Sequence, residues 1–324
     1  MRMKLNAKSA NLCVLAVLVV ALSASSSVAQ ERARRAATKG YPPKMSQATA
    51  SVYKTVGDVS LNMYIFNPED HQIDQRRPAI VFFFGGGWRG GSPKQFEKHC
   101  LYLASRDMVA MAADYRVSSR HGVKAMQCVA DAKSAIRWVR ANAAKLGVDP
   151  ERIVASGGSA GGHLAACTGV IEGFDEPGES TSVSSRPNAM ILFNPAVVVA
   201  PIDGDDTLAI RKGYRDRMGT DPIRLSPYHQ VKGAVPPTVI FHGRDDKTVL
   251  YRSVEYFTKV MKEMNNPCKL VGYDGEGHGF FNYGRKKNRY FTATMAEADR
   301  FLVSLEYLEG EPTIEQFDPG KTQR

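Results

Sequence analysis

The chain has 324 residues, 43% of them hydrophobic and 23% charged, which are the proportions of an ordinary globular protein and exclude a mostly disordered or fibrous one. The length suits one α/β catalytic domain with trimmings and requires no second domain. The net charge of +10 comes without a nucleic-acid motif or interleaved basic and aromatic residues, so it reads as solvated surface and no nucleic-acid partner is expected.

At the amino terminus Arg2, Lys4 and Lys8 precede an apolar run from Leu12 to Leu22, and small residues follow to Ser27-Val28-Ala29. This is the layout of a cleaved signal peptide over residues 1–29, about half as long as a membrane span needs. The expectation is an exported protein, periplasmic or secreted, with no stable span after cleavage. Cys13 lacks the small preceding residue of a lipid-modified cysteine. Loss of this segment removes three positive charges and leaves +7. Cys100, Cys128, Cys167 and Cys268 remain, and they are consistent either with two disulfides in one of three connectivities or with four buried thiols. No pair has CxxC spacing, so neither thiol redox chemistry nor a zinc knuckle is expected.

Residues 30–45, charged and broken by Tyr41-Pro42-Pro43, read as a flexible lead-in, and the catalytic domain is expected over 46–310. Ala50–Val56 and Val59–Phe66 predict a strand pair turned at Gly57-Asp58. Pro78–Phe84 is a continuous apolar run, as in a strand buried on both faces. An alternation follows: a helix over Lys94–Arg106, a strand over Met108–Tyr115, and a long helix over Val123–Leu146. That long helix presents Val129, Ala132, Ile136 and Val139 on one face and is stopped by Gly147 and Pro150. A strand over Arg152–Ser156, a small-residue helix from Ala160, and strands over Ala189–Phe193, Pro237–His242 and Lys269–Tyr273 continue the rhythm, with helices over Tyr251–Met264 and Phe291–Leu308. The fold class is α/β, with a mainly parallel central sheet and helices on both faces. The breaker-rich stretch at about 197–232 predicts a small cap insertion, and 311–324 a polar tail.

Four segments carry chemistry. Gly157-Gly158-Ser159-Ala160-Gly161 matches G-x-S-x-G between a strand and a helix, where a nucleophile elbow belongs. Phe84-Gly85-Gly86-Gly87-Trp88 ends the buried strand, and its glycines can aim backbone N–H groups at an oxyanion; Gly86 and Gly87 are assigned this role together with Ala160. A P-loop is excluded because no Lys-Ser/Thr follows. A carboxylate appears in His242-Gly243-Arg244-Asp245-Asp246 and a histidine in Gly275-Glu276-Gly277-His278-Gly279. The order Ser, Asp, His is that of the α/β-hydrolase fold, giving Ser159 as nucleophile, His278 as base and Asp246 as its orienting acid. Trp88, Tyr228, Phe280 and Phe281 are candidates to bind substrate. His163 and His242 read as packing residues, and Glu276 stands close enough to His278 in sequence to influence it.

The GGGW loop, the GGSAGGHLA segment from Gly157, the HGxxDxxV pattern from His242 and the GHGF segment from Gly277 together resemble the hormone-sensitive-lipase-like esterases. Within them the chain is most similar, over about Val52 to Val303, to the bifunctional feruloyl and acetyl-xylan esterase-like group. The resemblance implies a carboxylesterase or deacetylase without cofactor or metal, acting on a small-molecule or carbohydrate ester such as an acetyl ester. It selects Asp246 over Asp245, because the family spacing places the acid three residues before Val249, and it implies a structural role for Asp114-Tyr115-Arg116. Phe84 stands where the family usually has histidine. A side-chain hydrogen bond that steadies the loop is lost, so apolar packing must hold it, while the backbone oxyanion donors and the reaction type are unaffected. Two rival readings are a serine peptidase of the prolyl-oligopeptidase type, for which the chain lacks a propeller, and a catalytically silent binding module, which typically loses a triad member.

Overall fold

The computed structural model describes residues 38, 40–205, 208, 214–318 and 320. The expected signal peptide lies outside these residues, as do parts of the expected lead-in, cap and tail.

Eight strands form one sheet in the order β1-β2-β4-β3-β5-β6-β7-β8. β1 (Thr49–Val56) and β2 (Val59–Phe66) are an antiparallel pair, and β2 also runs antiparallel to β4 (Val109–Ala113). The remaining neighbours, β3 (Arg77–Phe83), β5 (Val148–Gly158), β6 (Ala189–Phe193), β7 (Thr238–Gly243) and β8 (Cys268–Tyr273), are parallel. The mainly parallel sheet is what the β-then-α rhythm predicts.

The period of two along each strand divides the interior into two cores. In β3, Ala79, Val81 and Phe83 enter one core, and Ile80 and Phe82 enter the other. A strand with both faces covered must be apolar throughout, which is why this run shows no alternation. On the first face lie α3 (Ala125–Ala141), α4 (Ala160–Val170) and α7 (Tyr251–Glu263); on the second lie α1 (Glu97–Ala104) and α8 (Arg289–Ser304). Between β4 and α3 a single turn, α2 (Ser118–His121), packs beside the glycine loop through Ser118 N–H to Trp88 O.

The long helix is shorter than expected. It ends at Ala141, and the chain reverses at Gly147 (φ 61°) into a strand that begins at Val148. Pro150 therefore lies in the irregular opening of β5, where the register against β3 shifts, a position in a strand that tolerates a missing N–H. Between Val197 and Lys232 the described residues form an isolated bridge (Ile202 with Asp205), α5 (Tyr214–Met218), a 3-10 turn (Pro222–Leu225) and α6 (Pro227–Gln230). The four cysteines are free and buried, and burial raises the thiol pKa of each. Among the described residues no helix is long and apolar enough to cross a membrane.

The Asp114-Tyr115-Arg116 segment supports the frame from inside. Arg116 grips Asp131 of α3 (Nη2–Oδ1 2.8 Å), and Lys54 of β1 meets the same carboxylate at 2.7 Å. Asp114 accepts from the Tyr115 N–H and from the Tyr41 hydroxyl.

Candidate active site

β5 delivers the chain into a sharp turn at Ser159 (φ 56°, ψ −118°), and α4 starts at the next residue. The turn runs against the end of β3 so closely that a Cβ on Gly161 would stand 1.9 Å from the carbonyl oxygen of Phe83. The strained conformation is held from both sides: Ser159 N–H donates to Phe193 O at 2.9 Å, and Ser159 O accepts from His163 N–H at 2.9 Å.

Three side chains from distant segments converge here. His278 Nε2 lies 2.9 Å from Ser159 Oγ, and His278 Nδ1 lies 2.7 Å from Asp246 Oδ2. These contacts set the tautomer, with Nδ1–H donating to the carboxylate and Nε2 free to accept the hydroxyl proton. The side chain of Asp246 is fully buried, and its Oδ1 accepts from Thr248 N–H (2.7 Å) and Val249 N–H (3.0 Å). Burial alone would raise this carboxyl, but hydrogen bonds from His242 and His278, the attraction of His278 and the Val249 N–H together hold it below the usual carboxylate range. Asp245, its neighbour, is exposed.

Gly86 (φ 125°) and Gly87 (φ 63°) take backbone conformations closed to most side chains, and a Cβ on Gly86 would meet Gly90 O at 2.3 Å. No hydrogen bond among the described residues occupies the N–H groups of Gly86, Gly87 or Ala160, and all three residues line the same cavity as Ser159 and His278. Without the family's histidine the loop is held by two other devices. Phe84 stacks on Tyr115 (4.0 Å between centroids), whose hydroxyl donates to Phe84 O at 2.7 Å. Gln95 Oε1 accepts the Gly85 N–H at 2.7 Å, and its Nε2 donates to Asn282 Oδ1 at 2.9 Å. Asn282 in turn donates to Gly279 O, which joins the glycine loop to the histidine loop. The apolar expectation was thus only half of the support.

The substrate-binding expectations divide. Trp88 lines the cavity of about 570 Å³, but it is 2% exposed and its Nε1–H donates to His163 Nδ1 at 3.2 Å. His163 Nε2–H donates to Leu225 O, so this histidine ties the loop to the segment above it; burial lowers its pKa to about 4. Tyr228 does not line the cavity, because from α6 it packs against the first core, edge-on to Tyr256 of α7. Phe280 does not line it either: it turns into the second core against Tyr273 and Tyr290, and Phe281 stands at the cavity in its place. Glu276 is engaged by Lys286 at 2.5 Å.

His242 is more than a packing residue. Its Nε2 lies 2.8 Å from Val249 O and 3.3 Å from Asp246 Oδ2, behind the carboxylate. The i, i+4 spacing of His242 and Asp246 was visible in the sequence, but it does not reveal that the strand end turns back on itself. Gln95, Asn282, Arg217 and Arg285 also line the cavity, and they belong to no motif that the chain order discloses.

The family model described as BD-FAE matches residues 63–261, and that of the dienelactone hydrolase family matches residues 222–307. Thermogutta terrifontis esterase 2 in its apo form is similar at 52% identity and a TM-score of 0.80, over 84% of this chain and 99% of that one. Structures of that esterase phosphorylated by paraoxon and with butyrate bound align over the same shares with TM-scores of 0.78 and 0.79, each at 51% identity. A probable isoprenylcysteine alpha-carbonyl methylesterase of Arabidopsis thaliana, ICMEL1, is 29% identical over 62% of this chain and 45% of its own length. The chain spans about half the length of the curated relatives it matches. With an eight-stranded α/β-hydrolase sheet and a family match over more than half of its residues, the chain belongs to the BD-FAE family.

Proposed function

We propose that the protein is a serine carboxylesterase that hydrolyses short-chain carboxylic esters, acetyl esters of carbohydrate foremost, through an acyl-enzyme on Ser159. The observation that carries this reading is the hydrogen-bond chain from Asp246 through His278 to the Ser159 hydroxyl beside three backbone N–H groups. His278 takes the hydroxyl proton as Oγ attacks the acyl carbon, and the N–H groups of Gly86, Gly87 and Ala160 receive the oxyanion. Collapse expels the alcohol, protonated by His278. Water activated by the same imidazole then releases the acid. Asp246, low in pKa and buried, stays ionised and stabilises the imidazolium.

That an esterase with half its residues in common is phosphorylated by paraoxon and holds butyrate supports a nucleophilic serine and a short acyl group here. The described part of the 197–232 segment serves as a small cap, since Arg217 of α5 lines the cavity. The protein works outside the cytoplasm after loss of residues 1–29, and amino-terminal sequencing of the product from its native host tests that step. Mixing with 4-nitrophenyl acetate and with a fluorophosphonate probe tests the chemistry. A burst of nitrophenol and labelling that vanishes in Ser159→Ala are expected. Absence of both would end the reading, and faster cleavage of an aminoacyl-proline amide than of the ester would replace it with a peptidase.

A further inference from the structure

The cavity over Ser159 is lined by two arginines, Arg217 from α5 and Arg285 beyond the histidine loop, and by no aspartate or glutamate among the described residues. Arg285 is held at the rim, because its Nη1 donates to the carbonyl of His278 at 3.2 Å. A second cavity of about 280 Å³ shares Gly87, Trp88 and Arg217 with the first. Arg89 and Lys124 line it, with Asp216 as the one carboxylate among the described residues. The two cavities adjoin along Gly87, Trp88 and Arg217, and among the described residues the cleft they make up is lined by four cationic side chains and one anionic.

An acetyl group and neutral sugar hydroxyls make no use of such charge. The direction of the reaction shows which half of a substrate would use it. His278 Nε2 must hand its proton to the departing oxygen, so the alcohol half leaves on the side of His278, where Arg285 stands. A short acyl group also fills little of the first cavity, and the remaining room belongs to the alcohol. A guanidinium pairs well with a planar carboxylate, and the net charge of +7 that remains after loss of residues 1–29 would draw an anionic substrate toward the cleft.

We propose that this cleft selects esters whose alcohol half is anionic, an acidic oligosaccharide bearing carboxylates being the fitting class. Arg285 and Arg217 meet the nearest charge, and Arg89 and Lys124 continue the track. The inference rests on the esterase reading above and narrows its substrate.

The test compares 4-acetoxybenzoate with its neutral counterpart 4-acetoxybenzamide, with 4-acetoxybenzenesulfonate to separate carboxylate from other anions. The monoester of succinate with 4-nitrophenol against 4-nitrophenyl butyrate reads the acyl side. At low ionic strength kcat/KM for the benzoate should exceed that for the benzamide about tenfold, the gain of one charge-assisted contact. That ratio should shrink at about 0.5 M salt and fall toward unity in Arg285→Gln and Arg217→Gln, with Arg285→Lys retaining part of it. A ratio below about threefold, or one unchanged in the double glutamine variant, overturns the proposal. So does a preference found only on the acyl side. If no ester turns over, the esterase reading fails by itself. Calorimetric binding of the benzoate and the benzamide to Ser159→Ala then still decides the anion preference.

Discussion

Ser159 sits in a backbone conformation that costs stability and is retained because neighbouring hydrogen bonds leave it no alternative. Replacement by alanine keeps that backbone and removes the attacking oxygen. Ser159→Ala should therefore fold normally by circular dichroism and lose at least about 10⁴-fold in kcat toward 4-nitrophenyl acetate. Asp246→Asn is the more informative change. The carboxylate accepts from His278, Val249 N–H and Thr248 N–H at once, and an amide cannot serve them all. His278 would then settle in the wrong tautomer, and kcat should fall by about 10³ to 10⁴ with KM little altered. Asp245→Asn, in contrast, changes an exposed side chain and should leave kcat within about twofold. Adjacent acids cannot be told apart by composition. The family spacing chose Asp246, and burial with a 2.7 Å contact to His278 is the physical reason for the choice.

The glycine loop, the elbow and the histidine loop come from three separate stretches, and their mutual placement rests on few contacts. Gln95 spans two of them, taking the Gly85 N–H and giving to Asn282. Gln95→Ala should loosen the aim of the oxyanion donors, lowering kcat about tenfold to hundredfold with less change in KM. Asn282→Ala should cost a similar amount, and the double variant little more than either single one, since both break one bridge. Equal and independent losses would show that the two residues act separately. The elbow has less tolerance. Gly161→Ala places a methyl group 1.9 Å from Phe83 O against the backbone at the end of β3, and a loss of about 3 kcal/mol or more, or failure to fold, should appear in thermal unfolding. The GxSxG pattern announced the elbow, but nothing in it announced Gln95, because a polar residue on a short turn looks like any surface residue until the fold closes.

Across the whole molecule the second core holds an unusual resident. His99 is fully buried among Phe82, Phe96, Phe193, Phe281 and Phe291, and neither ring nitrogen has a hydrogen-bond partner among the described residues. Burial lowers its pKa to about 3, and that of His163 to about 4. Both stay neutral in the fold while the unfolded chain takes up protons below about pH 6.5, so their contribution is complete above that pH and lost as pH falls toward 4. Asp114, raised by burial to about 6, works in the opposite sense, and its contribution fades as pH rises through 6. His99→Phe should remove one proton from the balance. The slope of stability between pH 6.5 and 4 should flatten by about 1.4 kcal/mol per pH unit, read from urea midpoints. At pH 7 the variant should gain about 1–3 kcal/mol, since two buried nitrogens cease to lack partners. An unchanged slope would show that His99 does not govern acid sensitivity.

The sequence by itself determined the elements, their order and the chemistry they bring. Buried parallel strands must be apolar runs, a nucleophile elbow must be flanked by glycine, and Ser, Asp and His must follow one another as this fold orders them. The first two are local requirements, and the third is an order that can be read along the chain. Only the tertiary structure decided which side chains share a space: Phe281 rather than Phe280 at the cavity, His242 behind Asp246, Gln95 under the glycine loop, Arg217 and Arg285 at the rim, and four cysteines buried as free thiols. Each of these depends on how loops fold back and pack once the sheet is assembled. A side chain's direction at the end of a strand is set by packing against those loops and not by its own neighbours.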